Sequence, residues 1–133
     1  MSSRSRILVS TFLAMTAVTV VSAHAARPVS GTYRGATAQG LPISIEVVGA
    51  HLGTVVLKID DSCGSRHNSS SLADKTRVGR RGRFRFRARS ENQSMWFRGR
   101  FRGRRASGTF RERVTGDDGR TCDSGVVHFT VRR

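Results

Sequence analysis

The sequence predicts an all-β fold: an antiparallel meander of about 7–8 strands, closed as a small barrel or sandwich, after a helical signal peptide. Three observations carry this. Polar and apolar residues alternate with period two through most of the chain beyond residue 30. No stretch of ten residues there sustains the 3.6-residue period of a helix. Turn signals recur often enough to separate strands at the spacing typical of small β-domains.

Residues 1–25 read as a signal peptide. Arg4 and Arg6 form a basic start, Ile7 to Val21 carry no charge, and Ala23 and Ala25 put small residues at the −3 and −1 positions. Cleavage is expected after Ala25, leaving a single secreted domain over residues 26–133. The apolar run is shorter than the roughly 20 residues of a membrane span, so no transmembrane span is expected in the mature form. An uncleaved N-terminal anchor is the rival reading. Cys63 and Cys122 are the only cysteines, and in an exported chain their default state is one disulfide. Free thiols or a metal pair are the alternatives, and no CxxC supports them.

The strands follow in order. Residues 31–38 form the first, with Tyr33 its one large side chain. After Gln39-Gly40, residues 41–48 place Ile43, Ile45 and Val47 on one face and Ser44 and Glu46 on the other. Residues 52–59 form the third. Residues 60–74 are polar and serine-rich and read as a long loop pinned by Cys63. Strands resume near Thr76–Val78 and continue over residues 83–89, 94–102, 106–113 and 126–132. Pro28 and Pro42 stand near strand beginnings, where proline is tolerated.

Charge is the unusual feature. The formal net charge is +15, and loss of Arg4 and Arg6 with the signal leaves +13. Only Lys58 and Lys75 among the cations are lysine. Such a balance predicts attraction to anionic polymers or surfaces and says nothing of fold. Between residues 76 and 113, fourteen arginines stand against two acids, Glu91 and Glu112. Alternation sends Phe84, Phe86 and Ala88 inward and Arg83, Arg85, Arg87 and Arg89 outward. On the next strand Met95, Phe97, Gly99 and Phe101 go inward, and Trp96, Arg98, Arg100 and Arg102 outward. On the third, Ala106, Gly108 and Phe110 go inward, and Ser107, Thr109 and Arg111 outward.

If Arg89 stands opposite Ser94, then Phe86 meets Phe97 inside while Arg85 meets Arg98 and Arg83 meets Arg100 outside. Like charges directly opposite on a sheet are destabilising. A local rule broken without visible compensation marks a place to look for function. The candidate ligand-binding residues are therefore Arg83, Arg85, Arg87, Arg89, Trp96, Arg98, Arg100, Arg102 and Arg111. The planar guanidinium fork suits phosphate or carboxylate, and Trp96 offers a ring for stacking. The expected partner is an anionic polymer at the cell envelope or outside the cell. Nucleic acid is disfavoured for an exported chain with no nucleic-acid module. A solvated face that only keeps the protein soluble, and association with a membrane surface, are the competing readings.

Asp60, Asp61, Asp117, Asp118 and Asp123 lie near the two cysteines, and a disulfide would draw both loops together. Clustered carboxylates make calcium a candidate there, although Asp118-Gly119 and Asp60-Asp61 also read as turn chemistry. No cofactor is expected: HExxH, GxSxG, P-loop and dinucleotide fingerprints are absent from the sequence. His67 with Ser62, Ser69 or Ser71 is the one pairing that a hydrolase reading can draw. His128 is expected to point outward. Asn68 and Asn92 stand in glycosylation acceptor patterns, which matter only in a glycosylating host.

Gly31–Gly40, the G-x-F elements at Gly82 and Gly108, and C-D-S-G-V-V-H-F from Cys122 to Phe129 form a pattern over nearly the whole mature chain. It is similar to small exported bacterial β proteins of uncharacterised activity with a single disulfide. That resemblance implies one exported domain and transfers no catalytic or binding residue. The opening Gly-x-Tyr strand also resembles lipocalin- and avidin-like barrels, which implies a small-ligand cavity as an alternative.

Overall fold

The computed structural model describes residues 27–133. The signal peptide expected over residues 1–25 lies outside the described residues. What is described is all-β: nine antiparallel strands in one nearly closed, barrel-like sheet. They are β1 (Gly31–Thr37), β2 (Pro42–Val48), β3 (His51–Asp60), β4 (Arg66–Leu72), β5 (Arg83–Arg89), β6 (Gln93–Arg102), β7 (Arg105–Thr115), β8 (Thr121–Asp123) and β9 (Val127–Arg132).

The order around the sheet is β4-β3-β2-β1-β9-β7-β6-β5, with β8 paired to β7. The expected meander is therefore two meanders, β1 to β4 and β5 to β7, joined by β9 between β1 and β7. β4 and β5 follow one another in sequence but do not pair, which leaves a seam. The segment between them crosses one end of the barrel. There Leu52 N donates to Thr76 O, Val78 N donates to Ala50 O, and Ala73 and Val78 join the core.

Two expectations are corrected here. Residues 66–72, read as loop, form strand β4 against β3. The run alternates, but its inward residues are His67, Ser69 and Ser71, so alternation of hydrophobicity does not reveal it. Pairing with β3 overrides weak local preference. Conversely, the strand expected near Thr76–Val78 is only an isolated bridge between His51 and Arg77.

The core is a continuous cluster in which alternate residues of every long strand meet. Its centre is aromatic. Phe97 lies 4.7 Å from Phe129, 5.3 Å from Phe86 and 5.8 Å from Phe84, ring centre to ring centre. Two glycines let β5, β6 and β7 curl tightly over these rings. A Cβ on Gly99 would fall 2.6 Å from Phe84 Cζ and 2.7 Å from Ser107 O, so only the bare backbone fits there. Gly108 accommodates the Phe129 ring in the same way. Tyr33 is fully buried, and its hydroxyl accepts from Val29 N and lies 3.2 Å from Gly103 O.

Cys63 and Cys122 form the disulfide, with Cα atoms 5.3 Å apart and a sequence separation of 59. It ties the β3–β4 loop to β8, beside backbone and side-chain bonds between Ser62 and Asp123. In the chain-entropy picture a loop of that order stabilises by about 4 kcal/mol.

Candidate functional site

The β5–β6 register is the one that the aromatic pattern predicts. Phe86 pairs with Phe97 and Phe84 with Gly99 inside, while Arg85 pairs with Arg98, Arg83 with Arg100 and Arg87 with Trp96 outside. The β6–β7 register extends these rows: Arg98 stands opposite Thr109, Arg100 opposite Ser107, and Trp96 opposite Arg111. The outward face is thus a grid. Along β5, Arg83, Arg85, Arg87 and Arg89 repeat at two-residue spacing and span about 20 Å. Across the strands, neighbouring rows are about 4.8 Å apart.

Acids do not relieve this grid. Among the described residues, Arg83, Arg85, Arg87, Arg89, Arg98, Arg100 and Arg102 have no carboxylate within 4.0 Å, and the arginine ion pairs lie elsewhere. What steadies the β6 arginines is weaker. Arg100 Nε donates to Arg81 O at 2.9 Å, Arg98 Nε reaches Thr109 Oγ1 at 3.4 Å, and the Arg98 guanidinium lies 5.3 Å from the centre of the Trp96 ring. Each contact uses Nε or the guanidinium face and leaves the terminal nitrogens out of these bonds.

Arg111 stands apart from the set proposed from sequence. Its Nε and Nη2 form a fork on Asp123, with the Nη2 contact at 2.5 Å, and Arg113 Nε reaches the same carboxylate at 2.9 Å. The Arg111 hydrogen bond holds the Asp123 carboxyl well below the usual carboxylate range. The Arg113 and Gly125 N–H bonds act in the same sense, against the opposing effect of burial. Arg66 makes a similar fork on Asp60 and lowers its carboxyl as well.

The five candidate calcium ligands are not gathered. Asp60 and Asp123 are committed to arginines, Asp61 Oδ1 accepts from Cys63 N and Ser65 N, and Asp118 Oδ1 accepts from Arg120 N in the β7–β8 turn with Asp117 beside it. Among the described residues, the one group of three ligand-type side chains within reach of a single centre is Asp61 with the two cysteines, whose sulfurs are spent in the disulfide. The cystine end is therefore cross-linked by Arg66, Arg111 and Arg113 rather than left acidic.

A polar cluster that sequence reasoning missed lies inside this end. Glu112, on the inward face of β7 two residues beyond Phe110, is 2% exposed. Its Oε1 lies 2.5 Å from His67 Nε2 on β4, its Oε2 accepts from Gln93 Nε2 on β6, and its backbone N donates to Ser124 Oγ. The other ring nitrogen, Nδ1, lies 3.7 Å from Asp61 Oδ2. Both nitrogens of His67 thus face carboxylates and not Ser62, Ser69 or Ser71. The signal was present in the sequence: alternation already put Glu112 inward beside Phe110. The cluster bridges β4 to β6 and β7 from within, across the end of the unpaired seam. His128 is exposed, as expected.

Comparison with protein-family models, curated proteins and solved structures finds no match to this chain.

Proposed function

We propose that this protein is an exported, non-enzymatic binding module whose arginine face engages an anionic polymer at the cell envelope or outside the cell. One observation carries the reading: the register sets Arg83 against Arg100 and Arg85 against Arg98 with no acid beside them. Such pairs cost folding free energy and are relieved when an anion lies between them. The disulfide is compatible with an extracellular location. The non-enzymatic reading is supported by His67, which is tied to Glu112 and Asp61 rather than set beside a nucleophile.

The test is binding of the purified domain to cell-wall fractions and to defined polyanions at two salt concentrations. Affinity should fall steeply with salt. Replacing Arg85, Arg98 and Arg100 by Ser should weaken binding and flatten its salt dependence. Unchanged affinity and slope in that variant would refute the reading. Absence of binding even at low salt would leave the face with a solubilising role alone.

A further inference from the structure

The arginine face does not end at the sheet. Three surface grooves adjoin one another by sharing residues. The first, of about 670 Å³, lies over β5 and β6 among Arg85, Arg87, Trp96 and Arg98. The second, of about 930 Å³, shares Arg85 and Arg98 with it and continues past Arg83 and Arg100. It then passes the edge of β5 that pairs with no strand and reaches Lys75 and Arg77 in the crossing segment. The third, of about 720 Å³, shares Arg77 and Gly79 with the second and runs on to Arg80 and Arg27 at the barrel end. None of the protein's nine acids lines any of the three.

From this we infer that the three grooves form one basic track, built for a flexible, linear, phosphate-backboned polymer that turns from the sheet face around the β5 edge to the barrel end. The inference rests on the polyanion reading above and adds Lys75, Arg77, Arg80 and Arg27 to the surface. Two features select the ligand class. The path bends around a strand edge, so a stiff rod touches only part of it while a flexible chain follows it throughout. The second groove is lined by arginines of two adjacent strands, Arg83 and Arg85 of β5 and Arg98 and Arg100 of β6, set opposite one another in register. A phosphate in a polymer backbone carries its non-bridging oxygens along the chain itself at every repeat, whereas a pendant carboxylate stands off its chain at the end of a linker and follows a bent track less closely. Aromatic stacking is secondary. Trp96 is the only tryptophan and the six described phenylalanines lie on inward positions, whereas a base-stacking surface repeats its aromatics.

The experiment uses inorganic polyphosphate of graded length, with Trp96 fluorescence reporting entry into the first groove. Chains longer than the roughly 20 Å of the β5 row should bind several-fold more tightly than shorter ones. The double variant Arg77→Ser/Arg80→Ser, both exposed positions, should lose that gain on long chains and keep the short-chain affinity. Its salt slope on long chains should drop by about 1.4, for two contacts at the single-strand value. Equal loss on short and long chains, or no loss on long ones, would overturn the track while leaving the sheet-face reading intact. Duplex DNA bound as tightly as long polyphosphate would overturn the flexible-chain requirement. Polyglutamate of matched length bound equally well would overturn the phosphate assignment. If Arg85→Ser/Arg98→Ser binds every chain as well as the parent does, the underlying polyanion reading fails as well.

Discussion

The like-charge pairs make a prediction about stability that is independent of any ligand. Arg83 and Arg85 are exposed, their neighbours across the β5–β6 pair are Arg100 and Arg98, and no hydrogen bond ties either side chain down. Replacing both by Thr keeps a residue suited to a strand and removes two repulsive cross-strand pairs. At about 0.5 kcal/mol per pair, the variant should gain about 1 kcal/mol at low salt. For a domain of this size that is a rise in Tm of roughly 4–8 °C. The gain should shrink as salt is added, because exposed charges a few ångströms apart are screened. The assay is thermal unfolding followed by circular dichroism, for parent and variant, at low and high salt. The same variant should bind anionic polymers more weakly. A variant less stable than the parent at low salt would refute the reasoning, since it would show that the arginine stems stabilise the sheet by packing more than their charges strain it. An equal gain at both salt concentrations would refute it too, because the gain would then not be electrostatic.

Other perturbations probe the rest of the scaffold. Phe97→Ala, at the centre of the aromatic cluster, should cost about 3–5 kcal/mol, read from denaturant midpoints. Replacing Cys63 and Cys122 by Ser should lower stability by about 4 kcal/mol, and a reducing agent should destabilise the parent but not the variant. Glu112→Ala leaves Gln93 and His67 without their buried acceptor and should cost about 1–3 kcal/mol in the same assay. Asp123 is held ionised in the folded state, so its ion pairs stabilise above the usual carboxylate range and are lost as pH falls through it towards the folded value. Acid unfolding should therefore be shallower in Asp123→Asn than in the parent, when stability is followed from neutral pH downward.

How far the fold was legible depended on whether one face of a strand is apolar. β5 and β6 carry Phe and Met inside and Arg outside, so a one-residue slip would bury arginine, and only one register survives. The same logic places Glu112 inward, although its sequence neighbours invite counting it as a surface acid. β4 has no apolar face to read, since its inward residues are His67, Ser69 and Ser71. β9 between β1 and β7 is a long-range pairing with no local signal. For two of the acids near the cysteines the partner is likewise set by strand register and not by nearness in sequence: Asp60 pairs with Arg66, and Asp123 with Arg111 and Arg113.

The distribution of stabilising devices follows from the open seam. β4 and β5 share no ladder, so the barrel needs closure by other means. At the cystine end, closure is covalent and polar: the disulfide from the β3–β4 loop to β8, and the Glu112 bridge from β6 and β7 to β4. At the other end it is the backbone of the crossing segment on the β2–β3 turn. Neither uses the outward side of β5, which is left with four arginines on an unpaired edge. Charged side chains on such an edge block pairing with another sheet, so the row already has a protective role there. That role does not extend to Arg98 and Arg100, because β6 is paired on both sides and has no edge to protect. The arginines of β6 are therefore the ones whose charge the fold does not require, and they are the stronger discriminators between a protective surface and a binding one.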